Sequence, residues 1–132
     1  MKTLLLFRSL LVVLEARLVS GMPGSLFNIS QEDRGLQEAV LAATYSFNNQ
    51  SNDAFLFKPS AVHRAQKQIV RGVRYFMDVD ISRTVCRKGN SDFSQCDFQP
   101  EGQLQQTFHC HSDVWVTPWE NEIRILDFPC ES

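Results

Sequence analysis

The chain has 132 residues, a formal net charge of −2, and 43% hydrophobic and 21% charged residues. This length fits one domain with a sizeable core, and the composition excludes wholesale disorder. Because a net charge this close to zero gives no long-range attraction to phosphates, nucleic-acid binding is not expected.

The first 21 residues are typical of a secretory signal peptide. Lys2 gives a positive start, an apolar region follows, and Val19-Ser20-Gly21 offers small residues for cleavage. Charged residues interrupt the apolar region, so an atypical N-terminal helix is the alternative. No stretch approaches the roughly 18 apolar residues that a bilayer-spanning helix needs, so membrane insertion is not expected. We therefore expect an exported protein whose mature domain covers residues 22–132.

A single long helix is predicted from about Gln31 to Asn49. Ser30 is the expected N-cap, with Asp33 three residues further on, where an acid suits a helix N-terminus. Gly35 weakens the first turns slightly. Apolar residues at three- and four-residue steps form one stripe along this segment: Leu36, Ala39, Val40, Ala43 and Phe47.

The chain after the helix alternates between apolar and polar residues, which predicts β-strands. A short apolar run is expected to stop at Pro59, and a tight turn is expected at Arg71-Gly72. The predicted strands are Ala54 to Lys58, Val62 to Val70, Val73 to Ile81, Thr107 to Val116 and Ile123 to Cys130. One amphipathic helix followed by four or five antiparallel strands is an α+β plan, in which the helix stripe covers the apolar face of the sheet.

Four cysteines lie in the second half of the chain. An even number in a small exported domain indicates two disulfides, and three connectivities are open. Adjacent pairing would close two short loops, and each bridge would stabilise the fold by roughly 2–4 kcal/mol. Their spacings do not fit the paired Cys-x-x-Cys of a zinc site.

Apolar residues also lie at two predicted turns, where folding does not require them. One is Ile69-Val70-Arg71-Gly72 and the other is Val116-Thr117-Pro118-Trp119. An antiparallel sheet places both hairpin tips at one end, and the segment at Gly24 can reach the same end. A projecting apolar edge indicates an interaction surface, and tryptophan often dominates such contacts.

These segments resemble the cystatins, which inhibit papain-type cysteine proteases. The segment Gln68-Ile69-Val70-Arg71-Gly72 matches the Gln-x-Val-x-Gly signature of that family, and Gly24 and Pro118-Trp119 stand at its other two positions. The cysteine spacings match those of secreted, type 2 cystatins, and this match implies the pairs Cys86–Cys96 and Cys110–Cys130. The resemblance spans about Gly24 to Cys130.

The resemblance implies a cystatin fold and a reversible, tight-binding inhibitor of cathepsins that is not itself an enzyme and needs no cofactor or metal. A three-part wedge would occlude the protease cleft, and its residues are Gly24, Gln68, Ile69, Val70, Arg71, Gly72, Pro118 and Trp119. The alternative is a secreted protein of the same fold that binds or signals without inhibiting proteases.

A second inhibitory site is implied at Ser51-Asn52-Asp53, because some secreted cystatins use this tripeptide to block legumain. A plain turn that ends the helix is the alternative. Asn28 and Asn49 begin Asn-x-Ser sequons and are predicted glycosylation sites. Secretion is the expected destination, with an endosomal-lysosomal pool as a further option.

Two features bear on the oligomeric state and on rival functions. One type 2 member carries extra cysteines that link a dimer, but Gln50 stands where one would fall, so a monomer is expected. His109 and His111 flank Cys110 with a spacing that can ligate metal. No third ligand is evident in the sequence, so solvent-facing histidines are expected. A cysteine protease is the other rival, but paired cysteines account better for all four thiols.

Overall fold

The computed structural model describes residues 24–89 and 92–132, so the predicted signal peptide lies outside the described part. Within these ranges the structure contains six antiparallel strands and one long helix. The elements are β1 (Leu26–Asn28), α1 (Arg34–Gln50), β2 (Phe55–Ile69), β3 (Val73–Arg87), β4 (Thr107–Thr117), β5 (Glu122–Asp127) and β6 (Cys130–Glu131). The strand order is β1-β2-β3-β4-β5, and β6 pairs with β4. The predicted α+β fold is confirmed. The short strand β1 was not predicted, and the strand predicted from Ile123 to Cys130 is divided into β5 and β6.

The helix begins three residues later than predicted, and Ser30 is not its cap. Asp33 is the N-cap, and its carboxylate accepts a hydrogen bond from the Leu36 amide at 3.0 Å. Ser30 instead accepts from the Glu32 amide at 3.1 Å, within the preceding turn. A carboxylate is the stronger acceptor at the positive end of the helix, which explains why the cap lies at Asp33.

Strand β2 runs through Pro59, where the sequence predicted a stop. Register shifts lie between Phe55 and Phe57, between Pro59 and Ala61, and between Val62 and Arg64. The shift after Pro59 leaves Ser60 as an extra residue, and proline is tolerated in a strand beside such a bulge because the ladder is already interrupted there. The partner strand β3 also continues to Arg87, beyond the predicted end at Ile81.

The core lies between the helix and one face of the sheet. The predicted stripe is confirmed, since Leu36, Ala39, Val40 and Ala43 are all buried there. From the sheet, fully buried side chains meet this stripe: Phe57, Met77, Val79, Ile81 and Val114. Burial of each large side chain stabilises the fold by roughly 1.5–3 kcal/mol, so this layer fixes the sheet beneath the helix.

Both disulfides have the adjacent pairing, Cys86–Cys96 and Cys110–Cys130. The second bridge fastens β6 to β4, where its two cysteines are direct cross-strand partners. Within the described part of the chain, no helix is long and apolar enough to cross a bilayer.

Candidate functional site

The first of the three predicted segments, Gly24, lies beside the first hairpin. Gln68 donates a hydrogen bond from its side-chain amide to the Gly24 carbonyl at 2.5 Å. Strand β1 continues this contact, because Leu26 pairs with Gln68 in the sheet. The glutamine of the Gln-x-Val-x-Gly segment therefore positions the leader next to the hairpin.

The tip of the first hairpin is formed by Val70, Arg71 and Gly72. Strand β2 ends at Ile69 and β3 begins at Val73, and these two residues pair. Both Arg71 (φ 42°) and Gly72 (φ 114°) have positive φ, and the Val70 amide donates to the Gly72 carbonyl at 3.0 Å. The tip is thus an ordered, hydrogen-bonded loop, and Ile69 beside it leaves 38% of its surface exposed.

The second hairpin touches the first at Gly72. A Cβ atom added to this glycine would lie under 3.0 Å from the Val116 carbonyl oxygen, which real Cβ atoms essentially never do. It would also lie 3.2 Å from the Thr117 methyl carbon. Only glycine fits between the two tips, because it has no side chain and tolerates positive φ.

Trp119 projects from the second tip. Pro118 to Glu120 form one turn of 3₁₀ helix, and Asn121 follows in the left-handed conformation, donating its amide to the Pro118 carbonyl at 3.1 Å. Trp119 is 67% exposed, the largest exposed fraction among the large hydrophobic residues described. A rigid turn therefore presents an indole to solvent.

The structure thus brings Gly24, the first tip and the second tip to one end of the sheet. An open groove of about 660 Å³ lies beside them and is lined by Ile69, Val70, Arg71, Arg74, Trp115 and Leu126. Sequence analysis missed Trp115 as a member of this region, although its indole reaches the first tip. Its position on the outward face of β4 offers no signal until the register of the two hairpins is known.

The Ser51-Asn52-Asp53 segment lies at the opposite end of the sheet, because it leads into the start of β2 at Phe55, whereas the wedge segments cluster around the end of β2 at Ile69. The Ser51 amide donates to the Phe47 carbonyl at 2.9 Å, which ends the helix, and the Ser51 hydroxyl accepts from the Asp53 amide at 3.0 Å. Asn52 is exposed between these two fixed neighbours. The loop is a well-ordered turn that displays one asparagine.

Asp53 anchors this loop to the sheet. Its carboxylate accepts three bonds from the Arg83 guanidinium, at 2.5, 3.1 and 3.2 Å, and one from the Phe55 amide at 2.9 Å. Burial alone would raise the pKa of this carboxyl. The bonds from Arg83 and Phe55 and the positive charges of Arg83 and Lys88 outweigh burial and lower the pKa below its ordinary value.

The histidines lie on the outward face of the sheet. His109 is within 2.5 Å of one oxygen of Asp80, and His63 is within 2.7 Å of the other. His111 pairs with Asp78 at 2.6 Å. Sequence analysis missed His63, which is the extra residue of the bulge between Val62 and Arg64. All three rings are exposed.

The histidines and cysteines also bear on the two rival functions, a metal site and a cysteine protease. Asp80 stands between His63 and His109, and residues 24–89 and 92–132 contain no group of three or more potential ligands placed to hold a metal ion. All four cysteines of the sequence are in disulfides, which leaves no thiol for a nucleophile.

An antiparallel sheet packed against one helix, with two touching hairpin tips and an exposed indole at one end, defines an α+β domain that carries an apolar edge. The chain belongs to the cystatin family: the Cystatin domain matches residues 24–119. Cystatins are cysteine protease inhibitors and not enzymes, and their partners are papain-like cysteine proteases.

Similarity to cystatin F, predicted from Phe55-Leu56-Phe57-Lys58, Cys96-Asp97-Phe98-Gln99 and Val114-Trp115-Val116, is confirmed. Human cystatin-F is 40% identical over 109 residues, which cover 82% of this chain and 75% of that one. Cystatin-C of Bos taurus is 37% identical over 108 residues, covering 82% and 73%. The crystal structure of dimeric human cystatin F superposes with a TM-score of 0.79, covering 83% of this chain and 88% of that chain.

Proposed function

We propose that this chain inhibits papain-type cysteine proteases of the cathepsin class by filling the active-site cleft with three segments. These are the Gly24 leader, the first tip from Gln68 to Gly72, and the second tip at Pro118-Trp119. The observation that carries the proposal is the close approach of Gly72 to the Val116 carbonyl, because it joins the two tips into one body.

The geometry supports inhibition without cleavage. A papain-type enzyme holds its thiolate at the bottom of a groove, and a wedge can occupy both sides of that nucleophile. The hairpin backbone does not have to offer a carbonyl in attack geometry. Because both tips are already ordered by internal hydrogen bonds, little conformational freedom is lost on binding, which raises affinity.

Each segment contributes a different contact. Ile69 and Val70 supply apolar surface at the first tip, and Gly72 allows its backbone to approach closely. Trp119 supplies the largest exposed apolar side chain and is the expected energetic anchor. Pro118 stiffens the second tip by fixing its own φ.

The test measures inhibition constants for papain with two variants, Val70→Asp and Trp119→Ala. Both should weaken inhibition at least tenfold, because truncating or charging a hot-spot residue typically costs about 2 kcal/mol or more. Matched controls are Val85→Asp and Leu104→Ala, which change exposed apolar residues outside the wedge. Parent-like inhibition by both wedge variants would show that the assignment is wrong.

The alternative is a binding or signalling module with the same fold. Inhibition constants for a panel of cathepsins distinguish the two functions, because a binding or signalling module would inhibit none of these proteases. The exposed Trp119 and the touching tips favour the inhibitor, since a module without a cleft to fill has no need for a joined, protruding edge.

We also propose a legumain-blocking site at Asn52. Its support is an exposed asparagine held between Ser51 and Asp53, both of which are fixed by hydrogen bonds. Asn52→Lys should abolish legumain inhibition and leave papain inhibition unchanged, because the wedge lies at the other end of the sheet. If Asn52→Lys inhibits legumain as the parent does, the segment is only a turn that ends the helix and not an inhibitory site.

Export, glycosylation and a monomeric state complete the proposal. Two disulfides suit an oxidising compartment, and the sequon asparagines Asn28 and Asn49 are both exposed. With every cysteine paired inside the chain, a disulfide-linked dimer has no thiol from which to form. Mass spectrometry of the secreted protein, with and without glycosidase and reductant, tests all three.

A further inference from the structure

The first hairpin tip contains a residue in an unfavourable backbone conformation. Arg71 has φ 42°, in the left-handed region, and it has neither the freedom of glycine nor the short polar side chain of asparagine. A Cβ atom in this region crowds the following carbonyl oxygen. A contact from outside the loop therefore adds to the hydrogen bond within the tip in holding Arg71 in this conformation.

The second hairpin provides such a contact. The Trp115 indole donates from Nε1 to the Arg71 carbonyl oxygen at 3.3 Å. The same Nε1 lies 3.1 Å from the position where a Cβ of Gly72 would be. The indole edge thus covers both positive-φ residues of the tip.

Trp115 is itself fixed from two sides. It pairs with Arg74 of β3 and with Arg124 of β5, and the Arg124 guanidinium stacks 5.5 Å from the centre of its ring. Arg124 is in turn bound by Glu122 at 2.7 Å, and Arg74 is bound by Asp113. Because the Trp115 indole is fixed by these neighbours, its hydrogen bond can restrict the conformation of the first hairpin tip.

We propose that Trp115 is a positioning residue that holds Arg71 in the left-handed conformation and so keeps the first tip preformed against the second. This inference rests on the proposed function, because the preformed tip is the part of the wedge that enters the cleft. When only a fraction of molecules has the tip formed, the apparent affinity falls by that fraction.

The variant Trp115→Phe tests this proposal, because it keeps an aromatic ring beneath Arg124 and removes the N–H donor. We expect amide hydrogen exchange of Val70 in the free protein to speed up, since that amide is bonded within the tip. Inhibition of papain should weaken roughly five- to tenfold, the effect of losing one hydrogen bond.

Rescue by a second substitution separates positioning from direct contact. Asparagine adopts positive φ readily, so in an Arg71→Asn background the tip needs less support from the indole. There, adding Trp115→Phe should change Val70 exchange and papain inhibition by less than about threefold, and the double-mutant cycle measures the difference.

Two results would overturn the inference. In the first, Trp115→Phe leaves both Val70 exchange and papain inhibition at the parent values. In the second, the loss of inhibition is the same in both backgrounds, which would make Trp115 a direct protease contact. The exchange measurement uses no protease, so it decides the role of Trp115 in the loop even if the parent fails to inhibit papain and the proposed function falls.

Discussion

At Gly72 the first hairpin tip lies against the Val116 carbonyl of the second hairpin, and Gly72→Ala tests this close approach. The new methyl group would meet the Val116 carbonyl oxygen at under 3.0 Å, whereas ordinary contact begins at 3.4 Å. The opposing atom belongs to a backbone inside a paired strand and has no rotamer to change. The two tips must therefore move apart by roughly half an ångström or more.

Two costs add at this position. An alanine at φ 114° is strained wherever it lies, and a left-handed L residue costs about 1–2 kcal/mol. Overpacking against the second hairpin adds about 1–3 kcal/mol. We therefore expect Gly72→Ala to lower the free energy of unfolding by about 2–5 kcal/mol and to weaken papain inhibition at least tenfold.

Gly89 provides a matched control, because its φ of 113° is nearly identical and nothing lies within 4 Å of its added Cβ. Gly89→Ala should lose only the backbone part, about 1–2 kcal/mol, and should inhibit like the parent. Urea unfolding gives the two stabilities, and titration against papain gives the inhibition constants. Equal losses of stability in the two variants, with parent-like inhibition by Gly72→Ala, would refute the close approach.

Three further substitutions test the rest of the fold. Gly35→Ala should destabilise by about 1–3 kcal/mol despite alanine's better helix propensity, because the new Cβ meets the Tyr75 hydroxyl. In thermal unfolding, a Tyr75→Phe background should remove only part of that cost, because the end of the ring still lies 2.9 Å from the new Cβ. Asn48→Ala should lose about 2–4 kcal/mol in urea unfolding, because its buried amide makes two bonds to the β2 backbone. Asp53→Asn should lose about 1–2 kcal/mol at pH 7 by breaking the bond to Arg83. Because the pKa of Asp53 is lowered in the folded state, its carboxylate stabilises the fold above pH 3.8, and this stabilisation is lost as the pH falls through the folded pKa. The variant should therefore lack this pH-dependent part of the unfolding free energy. If the variant and the parent lose stability identically on acidification, Asp53 does not anchor the loop.

The sequence predicted the parts of the fold that depend on local pattern. The helix stripe around Leu36 follows from the 3.6-residue period, and the tip at Gly72 follows from a glycine between two alternating runs. The helix cap was predicted at Ser30 but lies at Asp33. Both side chains accept a hydrogen bond from an amide two or three residues further on, so the local pattern alone does not decide which of them begins the helix.

Features that depend on pairing between distant strands could not be predicted. Pro59 appears to end a strand unless the bulge beside it is known, and His63 meets Asp80 only because another bulge inserts it. Trp115 on β4 reaches Arg71 in the loop that precedes the neighbouring strand β3, a contact that depends on the register of the two strands. The candidate wedge residues were found by motif, whereas the residue that supports them was found only in the structure.

The bulged course of β2 also affects how the molecule behaves among its own copies. β1 covers β2 only from Gln66 to Gln68, so much of the strand is a sheet edge. A long, flat edge is a template onto which another chain can add. Here Pro59 removes a donor, the bulges twist the ladder out of register, and charged Lys58 and Arg64 discourage a neighbour. The irregularities that obscure this strand in the sequence thereby protect the protein against edge-to-edge aggregation.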